Sequence, residues 1–135
     1  MSAIKGGCLC GAVRYEARNA PLYSGFCHCR DCQRATGTGH CCYMIFSRAD
    51  VGFTGEVRPY QKRAESGNVT IRYFCSTCGS QIFSGGPPGD DRWTIYAGTL
   101  DDTSLFQPTD AVFTRSRPHW DRLVIAVDEC ETLPG

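Results

Sequence analysis

Ten of the 135 residues are cysteines, and seven of them fall into three tight groups. The first is Cys8-Leu9-Cys10, followed by Gly11. The second is Cys27-His28-Cys29-Arg30-Asp31-Cys32, and the third is Cys75-Ser76-Thr77-Cys78, followed by Gly79. Cys41, Cys42 and Cys130 lie outside the groups. A chain so rich in clustered sulfur is either a disulfide scaffold or a metal protein, and the compartment decides which. Residues Met1 to Gly7 carry no apolar run of signal-peptide length, and nothing later approaches the ~20 apolar residues of a membrane span. The expectation is a cytoplasmic protein whose thiols stay reduced and serve as metal ligands.

A C-x-x-C turn followed by glycine lets two sulfurs converge on one ion at ~2.3 Å while backbone amides approach the thiolates. Cys75 and Cys78 then need a second pair to complete a tetrahedron. Cys8 and Cys10 supply it, because Gly6, Gly7 and Gly11 permit a similarly tight turn. Four thiolates close such a site and make it structural.

Cys27, Cys29 and Cys32 offer three thiolates with no evident fourth. Three protein ligands leave a corner for substrate, as catalytic zinc sites do. The fourth position is also open to His28, Cys41 or Cys42. His28 sits between two ligands and is expected to point away from them. Cys41 and Cys42 lie in an apolar strand, where small buried thiols are usual. Other readings of the group stay open: a second structural zinc, a redox dithiol, or one ion shared among all seven thiols. A thiolate-rich zinc suits holding a further sulfur as thiolate, so the natural chemistry is addition of a thiol to a small electrophile.

The rest of the chain reads as one domain over 1–135, with no linker or repeat. Short alternating runs predict strands over Ala12–Ala17, His40–Ser47, Asn68–Phe74, Ser80–Ser84, Arg92–Ala97, Ala111–Thr114 and Leu123–Val127. In the third of these, Val69, Ile71 and Tyr73 share one face, with Thr70 and Arg72 on the other. Gly52, Gly55, Pro59, Gly67 and the 85–91 loop punctuate the runs. One short helix is expected near Arg30–Thr36, ended by Gly37. Fourteen basic residues balance fourteen acidic ones, so no net field draws in nucleic acid or an anionic membrane. Twelve of the fourteen cations are arginine, which suits a small carboxylate ligand and equally suits a scatter over a solvated surface.

The stretch Gly6-Gly7-Cys8-Leu9-Cys10-Gly11-Ala12-Val13-Arg14-Tyr15 resembles the opening of the glutathione-dependent formaldehyde-activating enzymes, a family shared with centromere protein V. The resemblance continues through Cys27-His28-Cys29-Arg30-Asp31-Cys32-Gln33-Arg34, Thr36-Gly37 and Arg72-Tyr73-Phe74-Cys75-Ser76-Thr77-Cys78-Gly79-Ser80. It ends in Tyr96-Ala97-Gly98-Thr99-Leu100 and Pro118-His119-Trp120. It implies an all-β fold of the β-tent type with two zinc ions, one structural and one catalytic. It also implies Cys8, Cys10, Cys75 and Cys78 as structural ligands, and Cys27, Cys29 and Cys32 as ligands of the catalytic ion. The implied activity is that of a carbon–sulfur lyase joining glutathione to formaldehyde, with glutathione as the small-molecule partner.

Two other readings are carried forward. One is a zinc-stapled module without catalysis that docks a protein partner. The other is a reductase resembling the B-type methionine sulfoxide reductases, with Cys130 as nucleophile. Trp120 is a candidate for the pocket wall or for a buried core position, and the 85–91 loop for the flank of a pocket.

Overall fold

The computed structural model describes residues 3–134. Its strands are β1 (Ile4–Gly7), β2 (Arg14–Ala17), β3 (Tyr23–Cys27), β4 (Cys41–Ser47), β5 (Val51–Thr54), β6 (Val57–Arg63), β7 (Val69–Cys75), β8 (Gln81–Gly85), β9 (Arg92–Tyr96), β10 (Asp110–Val112) and β11 (Asp128–Glu129). The α-helix, α1 (Arg30–Thr36), ends where Gly37 turns left-handed at φ 76° and its amide reaches the Gln33 carbonyl. That conformation costs glycine nothing. The fold is all-β, as expected.

Two sheets form. The smaller has the order β1-β2-β5, and the larger runs β11-β10-β3-β4-β9-β8-β7-β6. Period-two alternation gives the larger sheet two different faces. On β4, Met44 and Phe46 face the smaller sheet, while Cys41, Tyr43 and Ile45 face the other way into a cavity. On β9 the same rule sends Trp93 and Ile95 to the core and Thr94 and Tyr96 to the cavity.

The core between the sheets joins Ile4, Val13, Tyr15 and Ala17 to Met44, Phe46, Phe83 and Ile95. Phe83 is stacked on both Phe53 and Tyr73, at centroid distances of 3.8 and 4.7 Å, with Trp93 edge-on to all three rings. Phe46 is wholly buried there. Phe46→Ala is expected to cost about 3–5 kcal/mol, the transfer of a phenyl ring plus the cavity it leaves. Denaturant unfolding of the metal-loaded protein measures it, and a loss below about 1 kcal/mol would mean the inter-sheet core collapses onto the gap.

Several expectations need correction. Leu123–Val127 is not a strand: Val124 is fully exposed, and the residues that pair with β10 are Asp128 and Glu129 instead. β10 spans only three residues and already pairs with β3, so it offers little edge to recruit a longer partner. Gly6 and Gly7 lie in β1 rather than in a turn. A Cβ on Gly6 would stand 2.3 Å from the Thr99 carbonyl, so the strand needs glycine for close backbone approach. Gly52 and Pro59 likewise lie inside β5 and β6. Proline is tolerated because β6 is the edge of its sheet.

Candidate metal centre and thiol-lined cavity

The turn between β1 and β2 carries Cys8 and Cys10, and the end of β7 with the turn into β8 carries Cys75 and Cys78. The four sulfurs lie within 4.8 Å of one another. Cys8 Sγ is 3.6 Å from Cys10 Sγ, which is 3.8 Å from Cys75 Sγ. Sulfurs at ~2.3 Å from one tetrahedral ion stand about 3.8 Å apart, so the spacing fits zinc without rearrangement.

Backbone amides donate to two of these sulfurs. The Val13 amide donates to Cys8 Sγ at 3.2 Å, and the Thr77 and Cys78 amides donate to Cys75 Sγ at 3.4 Å each. The Ser80 hydroxyl, 3.2 Å from Cys78 Sγ, is the main cause that pushes this thiol down to about 5. Gly79 permits the turn, at φ 77°, and its amide bonds the Cys75 carbonyl at 2.9 Å. The turn with Cys8 and Cys10 joins strands of the smaller sheet, and the one with Cys75 and Cys78 joins strands of the larger, so an ion here ties the two sheets together.

The second group forms where β3 runs into α1. Cys27 ends β3, Cys29 caps α1, and Cys32 lies in its first turn. These three sulfurs also fall within 4.8 Å of one another. Cys29 acts as an N-cap, its sulfur accepting from the Cys32 amide at 3.2 Å. α1 therefore exists in part to hold the thiols. Contacts with Cys27, Cys29 and Cys41 hold the Cys32 thiol well below its ordinary value, and the Arg72 cation adds to that. Cys27 is raised correspondingly by Cys29 and Cys32.

These thiols floor a cavity of about 550 Å³, within the range of small-molecule sites. Its walls include Tyr43, Thr70, Arg72, Ser84 and Tyr96. Arg72 Nη2 stands 4.0 Å from Cys32 Sγ, and its Nε is buried without a partner among the described residues. Tyr96 donates to Ser84 Oγ at 2.9 Å. Burial, first of all causes, raises both Tyr43 and Tyr96, so each is a neutral hydrogen-bond donor.

The alternation read in Asn68–Phe74 thus acquires a purpose, since its polar face, Thr70 and Arg72, is cavity wall. Tyr43, Ile45 and Thr94 carried no motif, and Tyr96, which opens the Tyr96–Leu100 stretch of the resemblance, was not foreseen as cavity wall. The 85–91 loop flanks a neighbouring cavity of about 680 Å³ through Gly85, Gly86, Pro87, Pro88 and Asp90. Trp120 is outside the core, being 63% exposed, and does not line the thiol cavity. Cys42 packs at the edge of the inter-sheet core, and Cys130 at the edge of the second thiol group.

Cys41 is buried, as expected, but among thiols: its Sγ lies 3.5 Å from that of Cys32. A third polar group was missed altogether. His28 and His40 direct Nδ1 at Asp121 Oδ2, at 3.2 and 2.7 Å, away from the sulfurs.

Fold and site together define an all-β protein with two thiol-rich clusters able to hold metal ions, one between sheets and one beneath a cavity. The profile of the glutathione-dependent formaldehyde-activating enzymes matches residues 3–116, and the chain belongs to that family. It is 27% identical over 124 residues to a Halomonas elongata protein whose name provisionally assigns it as a glutathione-dependent formaldehyde-activating enzyme, covering 87% of this chain and 78% of that one. A crystal structure of a Rhodobacter sphaeroides protein superposes with a TM-score of 0.58 at 21% identity, covering 77% of this chain and 96% of that one. Among the described residues, no helix is long and apolar enough to cross a membrane.

Proposed function

We propose that this chain is a zinc-dependent enzyme of the carbon–sulfur lyase type, adding the thiol of glutathione to formaldehyde or another small electrophile. The observation that carries the reading is the convergence of Cys27, Cys29 and Cys32 on the floor of a ligand-sized cavity. On this reading Cys8, Cys10, Cys75 and Cys78 hold a structural zinc, and Cys27, Cys29 and Cys32 hold the catalytic one. Bound there, zinc supplies a means of keeping a visiting sulfur as thiolate at neutral pH.

The chain supplies the remainder. Addition forms a carbon–sulfur bond, moves the carbonyl π electrons onto oxygen, and ends with the thiol proton on that oxygen. Tyr43 and Tyr96 are phenols of the cavity wall that can meet the developing oxygen charge with hydrogen bonds, Tyr96 by turning its proton away from Ser84 Oγ. Arg72 offsets the negative charge gathered by the sulfurs and is available to a carboxylate of the thiol. The chain acts as one domain over 1–135, in the cytoplasm, where its thiols remain reduced.

The test is exchange spectroscopy by NMR on glutathione and formaldehyde with the zinc-loaded protein. The protein is expected to accelerate exchange between glutathione and S-hydroxymethylglutathione well above the spontaneous rate. No acceleration with glutathione, nor with other small thiols and aldehydes, would remove the enzymatic reading. A second reading, a binding module without catalysis, draws on the exposed side chains of Trp120, Val124 and Ile125. It predicts that null kinetic result together with retained zinc.

A further inference from the structure

We propose that Cys41 is the fourth sulfur of the second site, so that the corner facing the cavity is held by the protein until a visiting thiol takes it. The inference rests on the reading above, in which Cys27, Cys29 and Cys32 hold an ion.

Register brings Cys41 there. β3 and β4 are antiparallel, and Cys27 pairs directly with Cys41. Directly opposed residues on such strands share a face, with Cβ atoms about 4.5–5.5 Å apart. The result is a sulfur–sulfur distance of 3.5 Å between Cys41 and Cys32. That matches the 3.6 and 3.8 Å spacings of the four-sulfur cluster between the sheets. Cys42, one residue on, faces the opposite way into the core and cannot substitute.

Position also explains why this ligand differs from the other three. Cys27, Cys29 and Cys32 come from one short stretch of chain, and their sulfurs fall within 4.8 Å of one another. Cys41 comes from a different strand and stays outside that mutual set, touching it through Cys32. Rotation about its Cα–Cβ bond carries the sulfur toward or away from the ion without moving the backbone. The charge balance agrees. A divalent ion with four thiolates carries surplus negative charge, and the Arg72 guanidinium lies against the sulfurs to offset it. The competing arrangement is a Cys41 thiol that only donates a hydrogen bond to Cys32.

The experiment strips the more labile ion with a chelator and loads cobalt into the second site, with zinc left in the first. The wild-type visible spectrum is expected to be that of tetrahedral cobalt with four sulfurs. Cys41→Ser should lose about a quarter of the sulfur-to-cobalt charge-transfer intensity, as expected for three thiolates in place of four. Its bands should move to shorter wavelength, and cobalt should bind at least about tenfold more weakly. Cobalt-edge X-ray absorption on the wild type counts the sulfurs directly and does not depend on the variant folding. Three sulfurs in the wild type, or coincident spectra and affinities, overturn the proposal.

Adding glutathione separates this from the reading it rests on. If glutathione perturbs cobalt in both proteins while their starting spectra coincide, Cys41 is not a ligand and the enzymatic reading stands. If the starting spectra differ and glutathione perturbs neither, Cys41 is a ligand and the enzymatic reading fails.

Discussion

Cys75→Ala is expected to leave a protein that no longer folds cooperatively at room temperature, and to lower zinc content by one ion per chain. Cys75 sits at the end of β7 with its sulfur almost fully buried, accepting hydrogen bonds from two amides of the turn it begins. Its removal takes one of four thiolates from the zinc proposed to join the β1–β2 turn to the β7–β8 turn. A structural zinc contributes on the order of 10 kcal/mol to small domains. The whole net stability of a domain is about 5–15 kcal/mol, so loss of that ion consumes most of it. Far-ultraviolet circular dichroism during thermal melting, with metal analysis of the same sample, measures both. Should Cys75→Ala melt within a few degrees of wild type, the sulfurs between the sheets are not what holds them together.

How much of this was legible in the sequence differs from element to element. Gly37 announced the end of α1, because only glycine is at ease at its positive φ. β4, β7, β8 and β9 were legible because they hold alternating β-branched and aromatic residues around a two-faced sheet. β3 was not, because Ser24 and Gly25 interrupt the strand-favouring Tyr23 and Phe26. It is a strand because it fills the gap between β4 and β10, and Gly25 is there because a Cβ would stand 2.3 Å from the Asp110 carbonyl. Propensity cannot report such a requirement, since the atoms that impose it lie more than eighty residues away. The continuous apolar, β-branched run Leu123–Val127 misled for the converse reason, as composition alone does not provide a neighbour to pair with.

The same contrast holds at the thiols. Spacing within Cys8-Leu9-Cys10, Cys27 to Cys32 and Cys75 to Cys78 is local information, and the structure brings each set of sulfurs together. The approach of Cys41 to Cys32 depends on strand register, which nothing near Cys41 in the sequence records. Arg72 is intermediate: its face of β7 was readable, but that this face looks onto sulfur was not. Asp121 meets His28 and His40 across the fold, from a segment with no regular structure of its own.

Cys29→Ser separates chemistry from folding at the second group. Cys29 has two duties: its sulfur is one of three that converge beneath the cavity, and it caps α1 by accepting from the Cys32 amide. Alanine would remove both and confuse the result, since loss of an N-cap costs about 0.5–2 kcal/mol by itself. Serine is among the preferred N-cap residues and keeps that hydrogen bond while giving up the thiolate. The variant should therefore melt within a few degrees of wild type, retain the ion between the sheets and lose the second one. Turnover of glutathione with formaldehyde should fall at least about 100-fold, because losing even an outer partner of a ligand costs 10–100-fold in metal affinity or activity. A Cys29→Ser protein that unfolds as Cys75→Ala does would make the second group structural. One that folds and keeps full turnover would detach catalysis from these sulfurs altogether. Only a folded, inactive variant that retains a single zinc fits an ion at the floor of the cavity that serves the substrate rather than the scaffold.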